Sequence, residues 1–251
     1  MASIDNGLVV VTGGGAGLGL AIVDAMAAHG WRLLICGRDG ERLAQVADRW
    51  SNVSAIRLDL AHPAAVERFA RAALAAGPVV GLINNAAGQQ DVRLADQSFE
   101  DIDREVRANL TAPAILVARL APSIAGKGGF VVNIGSGLGV APKSSAAVYC
   151  ATKAALRNLS LGLRNQFRGG QGLRVVDVTL PLVDTSMTKG RGRGKIAPEV
   201  AAARIVAALE RGPLDLYVGK AALLPLLQRL SPALVRALLR GARTDGVVRV
   251  S

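Results

Sequence analysis

The feature that most constrains the fold is an alternation of short, β-branched strand patterns with longer helical patterns. The sequence predicts strands at Leu8–Val11, Trp31–Cys36, Val53–Leu58, Val79–Ile83, Phe130–Ile134, Leu173–Thr179 and Asp215–Val218. Helical patterns lie between them, at residues 17–29, 40–50, 63–76, 99–124, 147–168 and 198–211. Strands that alternate with helices in this way form parallel sheets through right-handed crossovers. The sequence therefore predicts an α/β fold, with a doubly wound, seven-stranded parallel sheet flanked by helices.

The strand patterns and the composition place this sheet in the interior of one domain. Runs such as LVVV and FVVNI are continuously apolar, as expected for strands that helices cover on both faces. With 51% hydrophobic and 20% charged residues, the chain is not of the disordered class. We predict one domain over residues 1–220. A Leu/Arg-rich tail, residues 221–251, is expected to belong to the same domain or to an oligomer contact.

Several functional classes are disfavoured by the sequence. The two cysteines, Cys36 and Cys150, lack the spacing of a disulfide framework, which is typical of a reduced, cytoplasmic protein. No signal peptide and no apolar run of 18 residues is evident, so we predict no transmembrane segment. The net charge of +11 raises the possibility of nucleic acid, but only 3% of residues are aromatic and no recognition motif is present. We expect no nucleic-acid partner and no metal site.

A glycine-rich segment directly after the first strand is the strongest sign of a nucleotide site. Residues 12–19 read TGGGAGLG and open the first helix. Glycine lets the backbone turn sharply and approach a phosphate, and a helix N-terminus offers free N–H groups and a positive dipole end. A plain tight turn is the alternative, but the position after the first strand favours a dinucleotide. The predicted contacts are Thr12, Gly13, Gly15, Gly17, Leu18 and Gly19.

The end of the second strand bears on the choice of cofactor. Gly37 stands where an NAD site would hold an acid for the ribose 2′-hydroxyl, and Arg38 follows. A guanidinium can clamp a 2′-phosphate through two N–H donors, so we predict NADP(H) over NAD(H), with NAD(H) still allowed. The alternative is that Arg38 is a solvated residue at the start of a helix, beside Asp39. Further predicted cofactor contacts are Asp59 and Leu60 near the adenine, and Asn85 and Ala86 near the ribose.

Four polar residues form a candidate catalytic set. Tyr149 and Lys153 are four residues apart in a helical pattern, which places them on one helix face. An ammonium and a cationic nicotinamide nearby would favour the phenolate and lower the tyrosine pKa. Ser136 follows the fifth strand and is expected at the ligand-binding edge of the sheet. Asn109, in the preceding helix, is positioned to hold a water between Lys153 and solvent.

These residues resemble the motifs of the short-chain dehydrogenase/reductase (SDR) family from about residue 8 to about residue 220. TGGGAGLG matches TGxxxGxG, and Asn109, Ser136, Tyr149 and Lys153 match the family tetrad in order and spacing. The resemblance implies a Rossmann-type, NAD(P)-binding and catalytic domain. It also implies that Tyr149 is the acid/base, that Ser136 positions the substrate oxygen, that Lys153 binds the ribose and lowers the tyrosine pKa, and that Asn109 supports a proton relay.

The resemblance extends to a subgroup and also has departures. ICGR, INNAAGQQ and GSGLGVAP resemble a bacterial subgroup that includes a dehydrogenase associated with D-alanine esterification of teichoic acids, from which we carry over no pathway. The family NNAG reads NNAA, which puts the Ala87 methyl near the cofactor. PGxVxT is replaced by LPLVDT, but Val183 and Thr185 are retained as expected cofactor contacts.

We therefore predict an NADP(H)-dependent carbonyl reductase or alcohol dehydrogenase. The alternative is a non-catalytic NADP(H)-binding regulator or scaffold, which has no need to retain the whole tetrad. Family resemblance implies a homodimer or homotetramer.

Two basic segments leave alternatives open. The loop at residues 189–195, KGRGRGK, either contacts an anionic or carrier-bound substrate or is a flexible solvated loop. The tail either packs on its own domain or a second subunit, with arginine stems over apolar surface, or lies on an anionic membrane. Pro225 and Pro232 are expected to break it into short helices.

Overall fold

The computed structural model describes residues 7–168 and 172–239. The strands are β1 (Leu8–Thr12), β2 (Arg32–Gly37), β3 (Val53–Arg57), β4 (Val79–Asn84), β5 (Phe130–Ile134), β6 (Arg174–Thr179) and β7 (Asp215–Tyr217). The helices are α1 (Gly17–Ala28), α2 (Gly40–Arg49), α3 (Pro63–Ala75), α4 (Phe99–Val106), α5 (Ala112–Ala125), α6 (Ala147–Gln166), α7 (Pro198–Arg211), α8 (Leu224–Leu230) and α9 (Pro232–Leu239).

The strands form one sheet in the order β3-β2-β1-β4-β5-β6-β7, and every neighbouring pair is parallel. This confirms the predicted seven-stranded, doubly wound sheet. The strand order reverses between β1 and β4, so the loops that follow these two strands leave the sheet toward opposite faces. A crevice opens at that point beyond the carboxyl ends of the strands, which is where open α/β sheets bind ligands.

Helices cover both faces of the sheet and explain the continuously apolar strands. Val9 and Val11 face a core layer that contains Ile22 of α1 and Ile205 of α7. Val10 faces the other layer, which contains residues of α3 and α5, among them Phe69, Leu116, Leu120 and Ile124. All three valines are fully buried, so neither face of β1 is exposed to solvent at these positions.

The helix predicted over residues 99–124 is interrupted. A π-helical turn, Arg107–Thr111, joins α4 to α5. Among the described residues, the continuous segment Phe99–Ala125 is long and apolar enough by composition to cross a membrane, but 44% of its most apolar window is buried. Leu116, Leu120 and Ile124 pack in the core against α3 and the sheet. The hydropathy of this segment is thus explained by its place in the core.

The described part of the tail forms two short helices at the edge of the sheet. Pro225 is the second residue of α8 and Pro232 is the first residue of α9. Both prolines therefore lie in the first turn of a short helix, where proline is tolerated. Leu224 packs against Gly137, since a Cβ built on that glycine would lie 3.3 Å from Leu224 Cδ1. Val235 of α9 is buried. Residues 240–251 of the predicted tail lie outside the described residues.

Candidate active site

A cleft of about 1530 Å³ lies at the carboxyl edge of the sheet, beside the point where the strand order reverses. The turn after β1 and the loops after β2, β3, β4, β5 and β6 contribute to its walls. It brings together most residues that the sequence singled out: Gly13, Gly15, Gly17, Leu18, Gly19, Arg38, Asp59, Leu60, Asn85, Ala86, Ser136, Tyr149, Lys153, Val183 and Thr185. Two predicted residues, Thr12 and Asn109, are buried behind these walls.

The glycine turn has the geometry of a phosphate cradle. Gly13 and Gly17 have φ of +69° and +55°, and a Cβ on Gly19 would lie 2.0 Å from the carbonyl oxygen of Gly13. Helix α1 has no side-chain cap and no acidic residue in its first turn, so neither offsets the partial positive charge of its first N–H groups. Backbone donors and a positive dipole end therefore face the cleft, and this set of donors fits a pyrophosphate.

The close approach at Gly19 gives a stability prediction. We expect Gly19→Ala to lower the free energy of unfolding by about 1–3 kcal/mol, because the new methyl has no room. Gly162 in α6 is the matched control, since a Cβ there meets nothing within 4 Å. Gly162→Ala should raise the free energy of unfolding by about 0.5–1 kcal/mol, the difference in helix propensity. Urea unfolding measures both, and equal effects would contradict the proposed packing of the turn.

Thr12 positions the cleft wall and does not line it. Its Oγ1 accepts hydrogen bonds from the backbone N–H groups of Asn85 and Ala86, each at 3.0 Å. Asn85 Nδ2 in turn donates to the carbonyl oxygen of Thr12 at 2.9 Å. Thr12 therefore ties the loop after β4 to the glycine turn, and its contact with a cofactor stays a prediction.

Arg38 projects at the end of β2 with its guanidinium available. Among the described residues, no hydrogen bond or ion pair engages that guanidinium, and the side chain is exposed at the cleft. Asp39 does not compete for it, because Asp39 caps α2 and pairs with Arg42 at 3.0 Å. This arrangement fits a 2′-phosphate, which needs an uncommitted bidentate donor.

The Asp59 carboxylate also has partners within the chain. One carboxylate oxygen accepts from Ala61 N at 3.0 Å, and the other pairs with Arg104 of α4. Arg104, Arg42 and Asp101 line the same end of the cleft and were missed by the sequence analysis. Arg42 lies close to Arg38 in sequence, in the first turn of α2, whereas α4 is brought to the cleft only by the tertiary fold.

Ser136 and Tyr149 meet at the other end of the cleft. Ser136 follows β5, and its Oγ accepts from Leu138 N at 3.1 Å. Tyr149 lies in the first turn of α6, only 9% exposed, in a small apolar cluster with Ala87, Leu138, Ala146 and Cys150. The extra methyl of the NNAA sequence therefore packs beside the phenol. Burial raises the pKa of Tyr149 to about 12, although the hydrogen bond with Ser136 works in the opposite direction.

Lys153 lies one helical turn further along and is buried, with 3% of its surface exposed. Its Nζ donates to the carbonyl oxygen of Ile134 at 2.7 Å and lies 5.7 Å from the centre of the Tyr149 ring. Burial lowers the pKa of Lys153 to about 8, and the negative charge of Asp177 offsets part of this shift. In the protein alone, both groups are thus displaced toward their neutral forms. In the protein alone burial dominates the pKa of Tyr149, and the lowering of that pKa by Lys153 together with a bound cationic nicotinamide stays a prediction.

The buried ammonium predicts a pH dependence of stability. The pKa of Lys153 falls from 10.5 in the unfolded chain to about 8 in the folded one. Between these values the unfolded chain holds a proton that the folded chain has released, so the free energy of unfolding rises with pH. In Lys153→Met, we expect the free energy of unfolding to rise by about 2 kcal/mol less between pH 7 and pH 10 than in the wild-type protein. Urea unfolding of both proteins across this range measures it, and parallel curves would exclude a strongly lowered pKa.

Asn109 lies in the π-helical turn between α4 and α5, and its amide is fully engaged. Its Oδ1 accepts from Gly88 N at 2.8 Å, and its Nδ2 donates to Gly88 O at 2.8 Å and to Thr152 Oγ1 at 3.2 Å. Thr152 in turn donates to the carbonyl oxygen of Tyr149 at 2.8 Å. Asn109 therefore joins the loop after β4 to the helix of the Tyr–Lys pair. Its role in a proton relay stays a prediction.

The basic loop meets a polar cluster beside the cleft. Arg191 donates to Gln89 Oε1 at 2.8 Å and lies 3.4 Å from Asp91 Oδ2. Asp91 also accepts from Lys143 at 2.6 Å and from Ser145. Burial favours the neutral acid, but these hydrogen bonds and the charge of Arg191 lower the pKa of Asp91 overall.

The other cations of this loop differ in their surroundings. Lys195 is paired with Asp184 at 3.1 Å, while Lys189 and Arg193 are exposed. Arg193 also lines the cleft, as does Lys143, which the sequence analysis missed. Part of the positive charge is therefore compensated within the chain, and the two alternatives for the loop stay open.

The described residues contain no group of three or more His, Cys, Asp and Glu side chains placed to hold a metal ion. What the cleft offers is a glycine turn, a free guanidinium and a phenol beside an ammonium, which is the chemistry of a dinucleotide-dependent oxidoreductase.

Comparison with known proteins gives the class. A family model described as short chain dehydrogenase matches residues 7–195, and the chain belongs to this family.

Individual relatives agree with this assignment. The chain is 34% identical over 189 residues to the uncharacterized oxidoreductase DltE of Bacillus subtilis, covering 73% of this chain and 74% of the relative. It is 28% identical over 220 residues to an uncharacterized oxidoreductase of Staphylococcus aureus, covering 83% and 93%. The resemblance inferred from the sequence motifs is confirmed.

Solved structures share the fold over nearly the whole chain. A short-chain dehydrogenase from Burkholderia cenocepacia in complex with NADP has a TM-score of 0.84 and 27% identity, covering 96% of this chain and 100% of its own. A short-chain dehydrogenase from Sphingobium yanoikuyae in complex with NADPH has a TM-score of 0.81 and 27% identity, covering 96% and 99%. The protein is thus an SDR oxidoreductase with a Rossmann-type, NAD(P)-binding fold.

Proposed function

We propose that this protein is an NADP(H)-dependent carbonyl reductase or alcohol dehydrogenase. The observation that carries the proposal is the cleft, which holds the glycine turn and free Arg38 at one end and Ser136, Tyr149 and Lys153 at the other. A regulator that only bound the dinucleotide would need the first end alone. The second end is built for proton transfer.

Each residue has a distinct part in the proposed reaction. A bound nicotinamide supplies the hydride in reduction and accepts it in oxidation. Tyr149 delivers the proton to the substrate oxygen, or removes it in the reverse direction, and the Ser136 hydroxyl holds that oxygen. Lys153, positioned by Ile134 O, supplies positive charge that favours the phenolate once a cofactor ribose and ring lie against it. Asn109 fixes the position of the loop after β4 relative to α6 through its hydrogen bonds.

The preference for NADP(H) rests on the second strand. The Arg38 guanidinium has no partner within the described residues, and Asp39 is held by Arg42. The two compared structures were solved with NADP and with NADPH, which supports the same choice. The glycine turn alone would accept either dinucleotide.

A screen of NADPH oxidation tests the proposal. Ketones, aldehydes, β-ketoacyl thioesters and quinones would be assayed with NADPH and with NADH. We expect at least one carbonyl class to be reduced, with NADPH preferred. Tight NADPH binding by calorimetry with no turnover of any class would favour the regulator instead. The exposed charge of Arg193 at the cleft makes anionic carbonyl compounds the first class to test.

We further propose that the protein works in the cytoplasm as a homodimer or homotetramer. Cys36 and Cys150 are free and buried, which suits a reducing compartment.

Membership of the SDR family supports the oligomer. Sedimentation equilibrium at several concentrations would test it, and a strictly monomeric mass would exclude it.

A further inference from the structure

The described part of the tail presents apolar side chains that the domain leaves uncovered. Leu223, Leu226 and Leu230 are 57%, 57% and 72% exposed. Leu226 and Leu230 are four residues apart and lie on one face of α8, and Leu223 directly precedes this helix. Leu234 of α9 is exposed as well, while Val235 beside it is buried. We call Leu223, Leu226, Leu230 and Leu234 the leucine face.

The charged side chains of residues 219–239, the segment that carries the leucine face, are all of one sign. Lys220, Arg229 and Arg236 are exposed, and residues 219–239 contain no Asp or Glu. The basic loop adjoins them, because a Cβ built on Gly194 would lie 3.3 Å from Lys220 Nζ. Exposed Lys189 and Arg193 belong to the same loop. The result is an apolar face bordered by cations.

Charge decides between the possible occupants of this face. In a two-fold dimer the same patch meets itself, so Lys220, Arg229 and Arg236 would approach the same cations of a second copy. Like charges brought together in this way oppose association. An anionic bilayer offers the complement to both features, since acyl chains accept leucines and headgroups attract cations. Amphipathic helices that bind membrane surfaces combine these two features.

We propose that α8 and α9, with the basic loop, dock the protein on the surface of a membrane that contains anionic lipids. The leucine face enters the boundary between headgroups and acyl chains, and Lys220, Arg229 and Arg236 lie at the headgroups. This docking surface borders the active-site cleft, which Arg193 and Leu239 also line. The proposal is separate from the redox function, because it requires no catalytic residue.

Co-sedimentation of the full chain with vesicles tests the proposal. Vesicles of phosphatidylglycerol and phosphatidylcholine should bind the protein, and pure phosphatidylcholine should bind it far less. The triple variant Lys220→Gln, Arg229→Gln, Arg236→Gln should weaken binding on the order of 100-fold, since each cation near the surface contributes about fivefold. Leu226→Ser with Leu230→Ser should weaken it about tenfold or more.

A matched control separates docking from a general loss of apolar surface. Leu74 and Leu214 are exposed at 42% and 40% but lie outside α8, α9 and the basic loop. Leu74→Ser with Leu214→Ser should leave vesicle binding unchanged. Circular dichroism and reduction of a soluble carbonyl compound would verify that all variants fold, and neither should change.

Two results would overturn the proposal. One is failure of the wild-type protein to bind phosphatidylglycerol vesicles at low salt. The other is a fall in oligomer mass of the Leu226→Ser, Leu230→Ser variant with unchanged vesicle binding, which would assign the leucine face to a second copy. Light scattering after size exclusion measures that mass. Loss of vesicle binding would not bear on the reductase, and an inactive reductase would not bear on docking.

Discussion

Replacing Tyr149 with phenylalanine should reduce turnover at least about a hundredfold, the smaller effect expected for loss of a positioned proton donor. The ring keeps its packing against Ala87, Leu138 and Cys150, so the fold and the cleft should persist. Because the phenol oxygen lies at the substrate end, NADPH affinity should stay within about twofold of wild type. Steady-state kinetics and calorimetric titration with NADPH measure the two quantities.

The chain provides its own control for this substitution. It contains two tyrosines, and the second, Tyr217, lies on β7 with its ring 5.7 Å from the Arg157 guanidinium. Tyr217→Phe removes the same hydroxyl far from the cleft and should leave turnover unchanged. If Tyr149→Phe kept wild-type turnover, the proton would have to come from another group, and the proposed mechanism would be wrong.

Replacing Arg38 with alanine should weaken NADPH binding by about tenfold to a hundredfold, the range expected for losing hydrogen bonds between charged groups. NADH binding should change little, because NADH has no 2′-phosphate for the guanidinium to hold. The selectivity for NADPH over NADH should therefore fall by nearly the same factor. Dissociation constants for both dinucleotides measure it directly.

Arg42 is the matched control for the cofactor prediction. It lines the same end of the cleft, but its guanidinium is already paired with Asp39. Arg42→Ala should therefore have a smaller effect on NADPH than Arg38→Ala. Equal losses for NADPH and NADH in Arg38→Ala would show that Arg38 does not distinguish the two, and the preference for NADP(H) would lose its main support.

The architecture was predictable because its signals are local and repeated. Each strand of the sheet is a short β-branched run, and the observed ends lie within one residue of those predicted. The parallel order then follows from the crossovers. The π-helical turn at Arg107–Thr111 was not predictable, because a single wider turn leaves the helical hydrophobic pattern almost unchanged.

The candidate site was predictable only where its residues follow strands or share a helix face. The glycine turn, Ser136 and the Tyr149–Lys153 pair meet these conditions, and all reach the cleft. The cluster of Asp91, Lys143 and Arg191 joins three loops, and no local pattern sets the direction of a loop side chain. The depth at which the Tyr149 phenol is buried, which raises its pKa in the protein alone, has no local sequence signal either.

The central claim is that the Tyr149 phenol lies against a bound nicotinamide, and a spectrophotometric titration tests it most directly. In the Tyr217→Phe background Tyr149 is the single tyrosine, so phenolate absorbance reports on this residue alone. Without cofactor its pKa is about 12, and no phenolate should form below pH 10. Saturating NADP⁺ would supply a cationic ring, and we expect the pKa of Tyr149 to fall in its presence. Phenolate appearing below pH 10 only with NADP⁺ is the predicted result, and identical titrations with and without NADP⁺ would contradict the account.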